Sequence, residues 1–123
     1  MDSYSKKREE LENRTVAFGV NVIKTCGEYA NNPRLRPVYN QVIRSATSIG
    51  ANYAEANNAS SRADFKNKIF ISKKEAAETR FWLKILSSFA PPGSLDELVV
   101  EARELNLILQ KIISTMKAGD NDK

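Results

Sequence analysis

The sequence predicts an all-α protein, an antiparallel up-down-up-down four-helix bundle. Three observations carry that expectation. Glycine and proline are sparse, five and four in 123 residues, and most fall at a few breaks. The pieces between the breaks are about 22 to 28 residues long, or on the order of 35 Å as helices. Apolar residues recur at spacings of three and four within them, one stripe per helix. A chain of this length supports one core, with roughly two-thirds of the unfolded surface buried. We therefore expect a single domain over residues 1–123, with helices at about 8–30, 35–58, 62–90 and 95–117.

The first segment shows the stripe Leu11, Thr15, Phe18, Val22, Cys26 and Tyr29. A second row, Val16, Val20, Ile23 and Ala30, lies beside it. So wide an apolar arc suits a helix touching two neighbours. Gly19 and Gly27 each lower helix propensity by about 1 kcal/mol relative to Ala, which close helix contact would explain. Asn31-Asn32-Pro33 ends the segment.

Small residues dominate the second segment, among them Ser45, Ala46, Ser48, Gly50, Ala51 and Ala54. Another backbone can approach such a surface closely. Arg44, Ser48, Asn52 and Glu55 fall on one face. This polar row reads either as a solvated face or satisfied seam between helices, or as a site for a ligand or phosphate. Glu75, Glu78 and Arg80 of the third segment are the expected partners of a seam.

The third segment opens after Ser61-Arg-Ala-Asp64, a weak capping signal, and ends at Ala90-Pro91-Pro92-Gly93. The fourth opens with Ser94-Leu-Asp-Glu97, a stronger capping box. Its stripe is Leu98, Ala102, Leu105, Leu109, Ile112 and Met116, followed by a polar tail expected to fray from Gly119 onward.

Composition excludes much chemistry. Without histidine there is no Ser-His or Cys-His pair and no imidazole metal ligand. The single cysteine, Cys26, cannot form an internal disulfide or a Cys-rich zinc site, and we read it as core filler. A reducing, cytoplasmic setting fits this usage. No apolar run approaches the roughly 20 residues of a membrane span, and the first residues lack the apolar stretch of a signal peptide. We expect no catalytic residues, no metal and no cofactor. Carboxylates such as Glu55, Glu75 and Glu78 are the only candidates for an enzymatic reading.

Charge is uneven along the chain. The formal net charge is +4, but residues 59–90 carry seven basic side chains against three acidic ones. In the third segment Arg62, Lys66, Lys73, Arg80 and Lys84 fall within about 40° of one another on a helix wheel. No acid of the same helix shares that row. A one-sign stripe suits a phosphate backbone, because each neutralised phosphate releases counterions. It also suits a solubilising face, or pairing with acids such as Glu101 and Glu104. The same helix is apolar in several directions: Phe65, Ile69, Ala76 and Leu83 on the core side, Phe70, Ala77 and Phe81 beyond the basic row, Ile71 and Trp82 elsewhere. One core cannot bury all of them. Phe70, Phe81 and Trp82 are therefore candidate anchors of a subunit interface, in preference to a base-stacking platform.

The stretch from Gln41 to Leu86 carries a resemblance. Arg44 to Thr47, Ser48 to Asn52, Glu55-Ala56, Ser61, Asp64-Phe65, Lys74-Glu75-Ala76, Glu78-Thr79 and Trp82-Leu83 follow one pattern. It resembles the four helix bundle protein family named after the intervening sequence of bacterial 23S rRNA genes. The resemblance implies a four-helix bundle assembled as a ring, with a pentamer expected. It implies no enzymatic activity. A related branch comprises accessory proteins of diversity-generating retroelements, linked to nucleic acid and reverse transcriptase binding. The leading expectation is a homo-oligomeric accessory that associates with RNA or DNA. The alternative is a scaffold or adaptor that binds a partner protein and has no nucleic-acid role.

Overall fold

The computed structural model describes residues 2–121, all of them in helices and short connections. Helix α1 spans Ser3–Cys26 and tightens into a 3-10 turn over Gly27–Asn31. Helices α2, α3 and α4 span Arg36–Ala56, Arg62–Ser87 and Asp96–Asn121. Helix α1 thus starts at Ser3, where the Asp2 carboxylate accepts from the Ser5 N–H at 2.7 Å. Helix α4 runs to Asn121 rather than fraying at Gly119.

Helix α2 packs closely on α3, α3 on α4, and α1 on α2; α1 meets α4 over a small area, and the α1 and α3 backbones make no close approach among the described residues. The helices therefore form a four-helix bundle with α1 and α3 on one diagonal. Phe18, Val22, Ile49, Ile69, Leu83, Leu105 and Leu109 are sealed in the centre. Burying each such side chain contributes about 1.5–3 kcal/mol. The buried hydroxyls all find carbonyl partners. Thr15 donates to the Glu12 carbonyl at 2.6 Å and Thr79 to that of Glu75 at 2.7 Å. Ser72 reaches across to the Ile49 carbonyl at 2.7 Å and ties α3 to α2.

Two local expectations are corrected and one is met. The Ser94 hydroxyl does not cap α4, which begins at Asp96 after a turn with Gly93 at φ +80°. The Ser61 cap does form: its hydroxyl accepts from the Asp64 N–H at 3.0 Å. The second apolar row of α1 does not meet a second neighbour. Val16, Val20 and Ile23 lie on the surface, because α1 has only one close partner.

Close approach belongs to Gly50, not to Gly19 or Gly27. A Cβ on Gly50 would stand 2.7 Å from Thr15 Oγ1 and 3.1 Å from Thr15 Cβ. One on Gly19 would make ordinary contact with Thr47 at 3.8 Å, and one on Gly27 would meet nothing within 4 Å.

Candidate functional site

The polar row of α2 lies along the edge shared with α3, and it is a seam. The Arg44 guanidinium donates to Gln41 Oε1 at 3.0 Å and to Glu75 Oε2 at 2.9 Å, and it also pairs with Glu78. Glu55 meets Lys68 at 3.0 Å. Asn52 donates back to the Ser48 carbonyl at 2.9 Å. Each charged member of the row is thus engaged by a neighbour. Arg80, one of the three expected partners, takes no part and faces solvent.

Trp82 belongs to this same edge. Its indole N–H donates to Glu78 Oε2 at 3.1 Å, and its ring leans on the core from a half-buried position. Phe81 meets it edge-on, with ring centroids 5.1 Å apart. Phe81 itself is 57% exposed, and Phe70 is 47% exposed. The candidate anchors therefore separate: Phe70 and Phe81 stand on the outer face of α3, while Trp82 braces Phe81 from the α2 side.

The basic row runs along the other flank of α3, toward α4. Asn106 of α4 donates to the Lys73 carbonyl at 3.0 Å and fixes the spacing of the two helices there. The row is not electrostatically uniform. At its N-terminal end Asp120 of α4 approaches Arg62 at 3.0 Å and Lys66 at 3.9 Å. Arg62 also donates to the Met116 carbonyl at 3.4 Å. Beyond that point Lys73, Arg80 and Lys84 have no carboxylate within 4 Å among the described residues. The Lys73 ammonium lies 5.6 Å from the centre of the Phe70 ring, so the cation sits against the exposed aromatic face. Glu101, an expected partner of the row, is held by Arg14 of α1 through two 2.7 Å bonds. That pairing holds the Arg14 guanidinium above its ordinary pKa, chiefly through the hydrogen bonds to Glu101.

The outer surface of α3 thus combines two exposed phenylalanines with three cations unmatched by acid. Val16, 58% exposed, together with Val20 and Ile23, forms a second apolar patch on the diagonally opposite helix α1. Sequence reasoning placed this second row on the surface of no helix, since period alone does not say which side lacks a neighbour. Cys26 is sealed in the core, and burial pushes its thiol up to about 11. Among the described residues no group of three or more Cys, Asp or Glu side chains could hold a metal ion. Nor is any helix long and apolar enough to cross a membrane.

Residues 9–111 match the family model of the 23S rRNA-intervening sequence protein. The chain belongs to that family. A crystal structure of a protein of unknown function from the S23 ribosomal protein family of Bacteroides thetaiotaomicron VPI-5482 shares the fold, with a TM-score of 0.77. It is 34% identical, and the match covers 84% of this chain and 97% of that one. No curated protein matches. The 23S rRNA-intervening sequence family extends across the α2–α3 seam, the basic row and both apolar patches, all of which lie inside the matched residues.

Proposed function

We propose that this chain is a non-enzymatic bundle that assembles with copies of itself into a closed ring and associates with RNA or DNA. One observation carries the reading: exposed Phe70 and Phe81 share the outer surface of α3 with Lys73, Arg80 and Lys84, cations with no carboxylate within 4 Å among the described residues, and Lys73 lies against the Phe70 ring. An apolar ridge on a soluble helix favours burial against another subunit. The cations beside it then line the rim of that junction. The two apolar patches, on α1 and α3, are different surfaces on opposite sides of the bundle. A contact between unlike patches is head-to-tail, and such contacts close into a ring when the rotation from one copy to the next divides the full circle. Five copies is the number that the family resemblance implies. Each copy adds its cations to the shared field, so a protomer of modest charge gains a strong positive surface on assembly.

Light scattering gives the mass, and nucleic-acid binding across a salt series tests the charge. An oligomer is expected, with affinity that falls steeply as salt rises. Changing Lys66, Lys73 and Arg80 to Glu abolishes binding while leaving the fold intact. A monomer, or binding that survives the triple change, overturns the reading. A protein-binding scaffold is the second reading. It is favoured by Asp120, which neutralises the Arg62 end of the row and shortens the stripe open to phosphates.

A further inference from the structure

Helix α4 divides its charges between its two flanks. Glu97 and Glu101 line the hollow against α1, and the charge of Glu104 acts on Arg14. Asp96 and Asp120 stand at the two ends of the helix. The flank toward α3 carries Asn106, which donates to the Lys73 carbonyl at 3.0 Å. Arg103 lies on that same flank, one turn before Asn106 and about 160° around the helix from Glu101. It is exposed, and it has no carboxylate within 4 Å among the described residues.

The height of Arg103 along the bundle follows from two contacts. Asp120 meets Arg62 and Asn106 meets Lys73, so α3 and α4 run in opposite directions. Three residues before Asn106, Arg103 stands about 4.5 Å beyond the level of Lys73, toward Arg80. Lys73 and Arg80 are themselves about 10.5 Å apart along α3. Arg103 thus fills the gap between them from the opposite wall of the α3–α4 groove. The order along the groove becomes Lys73, Arg103, Arg80, Lys84, in steps of about 4.5 to 6 Å. The acids of α3 nearest in sequence, Glu75 and Glu78, are drawn off to Arg44 on the α2 edge. Phe70 and Phe81 lie beyond the row, away from α4, so a junction built on them leaves the groove open.

We infer that the α3–α4 groove is a track for a single strand of nucleic acid, with Arg103 as a phosphate contact between Lys73 and Arg80. This rests on the nucleic-acid reading above and does not depend on the ring. Four cations advance in line, in steps comparable with the separation of neighbouring phosphates in an extended strand. Such a line suits a backbone free to lie along a groove. A duplex winds its phosphates around an axis, so a straight line of cations meets only a short arc of it. RNA and DNA strands share this chemistry.

The test is fluorescence anisotropy of labelled oligodeoxythymidylate and oligouridylate with the full chain across a salt series. An unlabelled duplex of equal length competes at least about tenfold more weakly than the unlabelled strand. Arg103→Ala lowers the slope of log affinity against log salt by about 0.7, the share of one phosphate on a single strand, and weakens binding about threefold or more at low salt. Arg103→Lys keeps the slope of the native chain. Lys6→Ala removes an exposed cation from α1, on the opposite side of the bundle, and leaves the slope unchanged, which separates a phosphate contact from a loss of net charge. All three variants keep the native melting temperature and scattering mass. The strand bound more tightly, uridylate or deoxythymidylate, names the natural polymer as RNA or DNA. If the native chain binds neither strand nor duplex, the nucleic-acid reading falls and the track falls with it. If it binds but Arg103→Ala behaves like Lys6→Ala, or the duplex outcompetes the strand, that reading stands and the track is overturned.

Discussion

Gly50 of α2 rests against Thr15 of α1 with no room between them for a methyl group. The obstruction is the root of a buried side chain, not the far end of a flexible one. Thr15 is further pinned by its 2.6 Å bond to the Glu12 carbonyl. Gly50→Ala therefore drives α1 away from α2. Overpacking of this kind costs about 1–3 kcal/mol, against about 1 kcal/mol gained in helix propensity. A net loss of up to about 2 kcal/mol is expected in urea unfolding. Gly19→Ala is the control: its Cβ meets Thr47 at an ordinary 3.8 Å, so stability holds or rises.

Assembly through unlike patches gives a prediction that a symmetric dimer does not. Phe70→Glu with Phe81→Glu blocks one patch, and Val16→Glu with Ile23→Glu blocks the other. Each variant alone is a folded monomer by light scattering and circular dichroism. Mixed in equal amounts, they form a 1:1 dimer, because one intact patch remains on each and only one junction can form. A mixture that stays monomeric refutes the head-to-tail arrangement.

Asp120 sets how much of the basic row is open to a polyanion. Asp120→Asn removes the carboxylate shared by Arg62 and Lys66. Nucleic-acid affinity rises as a result. The slope of log affinity against log salt steepens by as much as about two, for two newly engaged phosphates. The exposed pairs contribute at most about 1 kcal/mol each to stability, so the melting temperature changes little. An unchanged slope means that the N-terminal end of the row lies outside the contact.

Cys26 couples the core to alkaline pH. Burial lifts its thiol from an ordinary value of 9.0 to about 11, with a smaller contribution from Glu28. Above pH 9 the unfolded chain loses this proton while the folded chain keeps it, so stability falls as pH rises from 9 to 11. The slope approaches about 1.4 kcal/mol per pH unit. Tyr53, also raised by burial, adds to the loss at the upper end. Cys26→Ala flattens the lower part of this decline, which urea unfolding at pH 7, 9 and 10 measures. At pH 8 the native thiol resists an aromatic disulfide reagent until urea exposes it.

Period and punctuation made the bundle legible, because a helix in water must hide whatever apolar stripe it carries. Leu98, Ala102, Leu105 and Leu109 are all sealed where their spacing placed them. The same reasoning located Phe70 and Phe81 outside the core. It failed where the answer depends on a neighbour in space. Nothing local says that Arg44 of α2 comes across to Glu78, the acid that holds the Trp82 indole, or that Asp120 swings onto Arg62. Val16, Val20 and Ile23 were open to the same error, since a wide arc predicts two neighbours and the bundle supplies one close one. Capping failed in the opposite sense. Ser94 has the better sequence context, but the turn at Gly93 delivers the chain into α4 at Asp96 and leaves the serine outside.

The slender contact between α1 and α4 also governs how the molecule comes apart. The intimate packing runs from α2 through α3 to α4, an uninterrupted stretch of chain, and α1 is attached mainly at one flank. Amide hydrogens in the first half of α1 should accordingly exchange with solvent well before those around Ile49, Ile69 and Leu105, marking out a hinge by which this helix detaches while the other three stay folded.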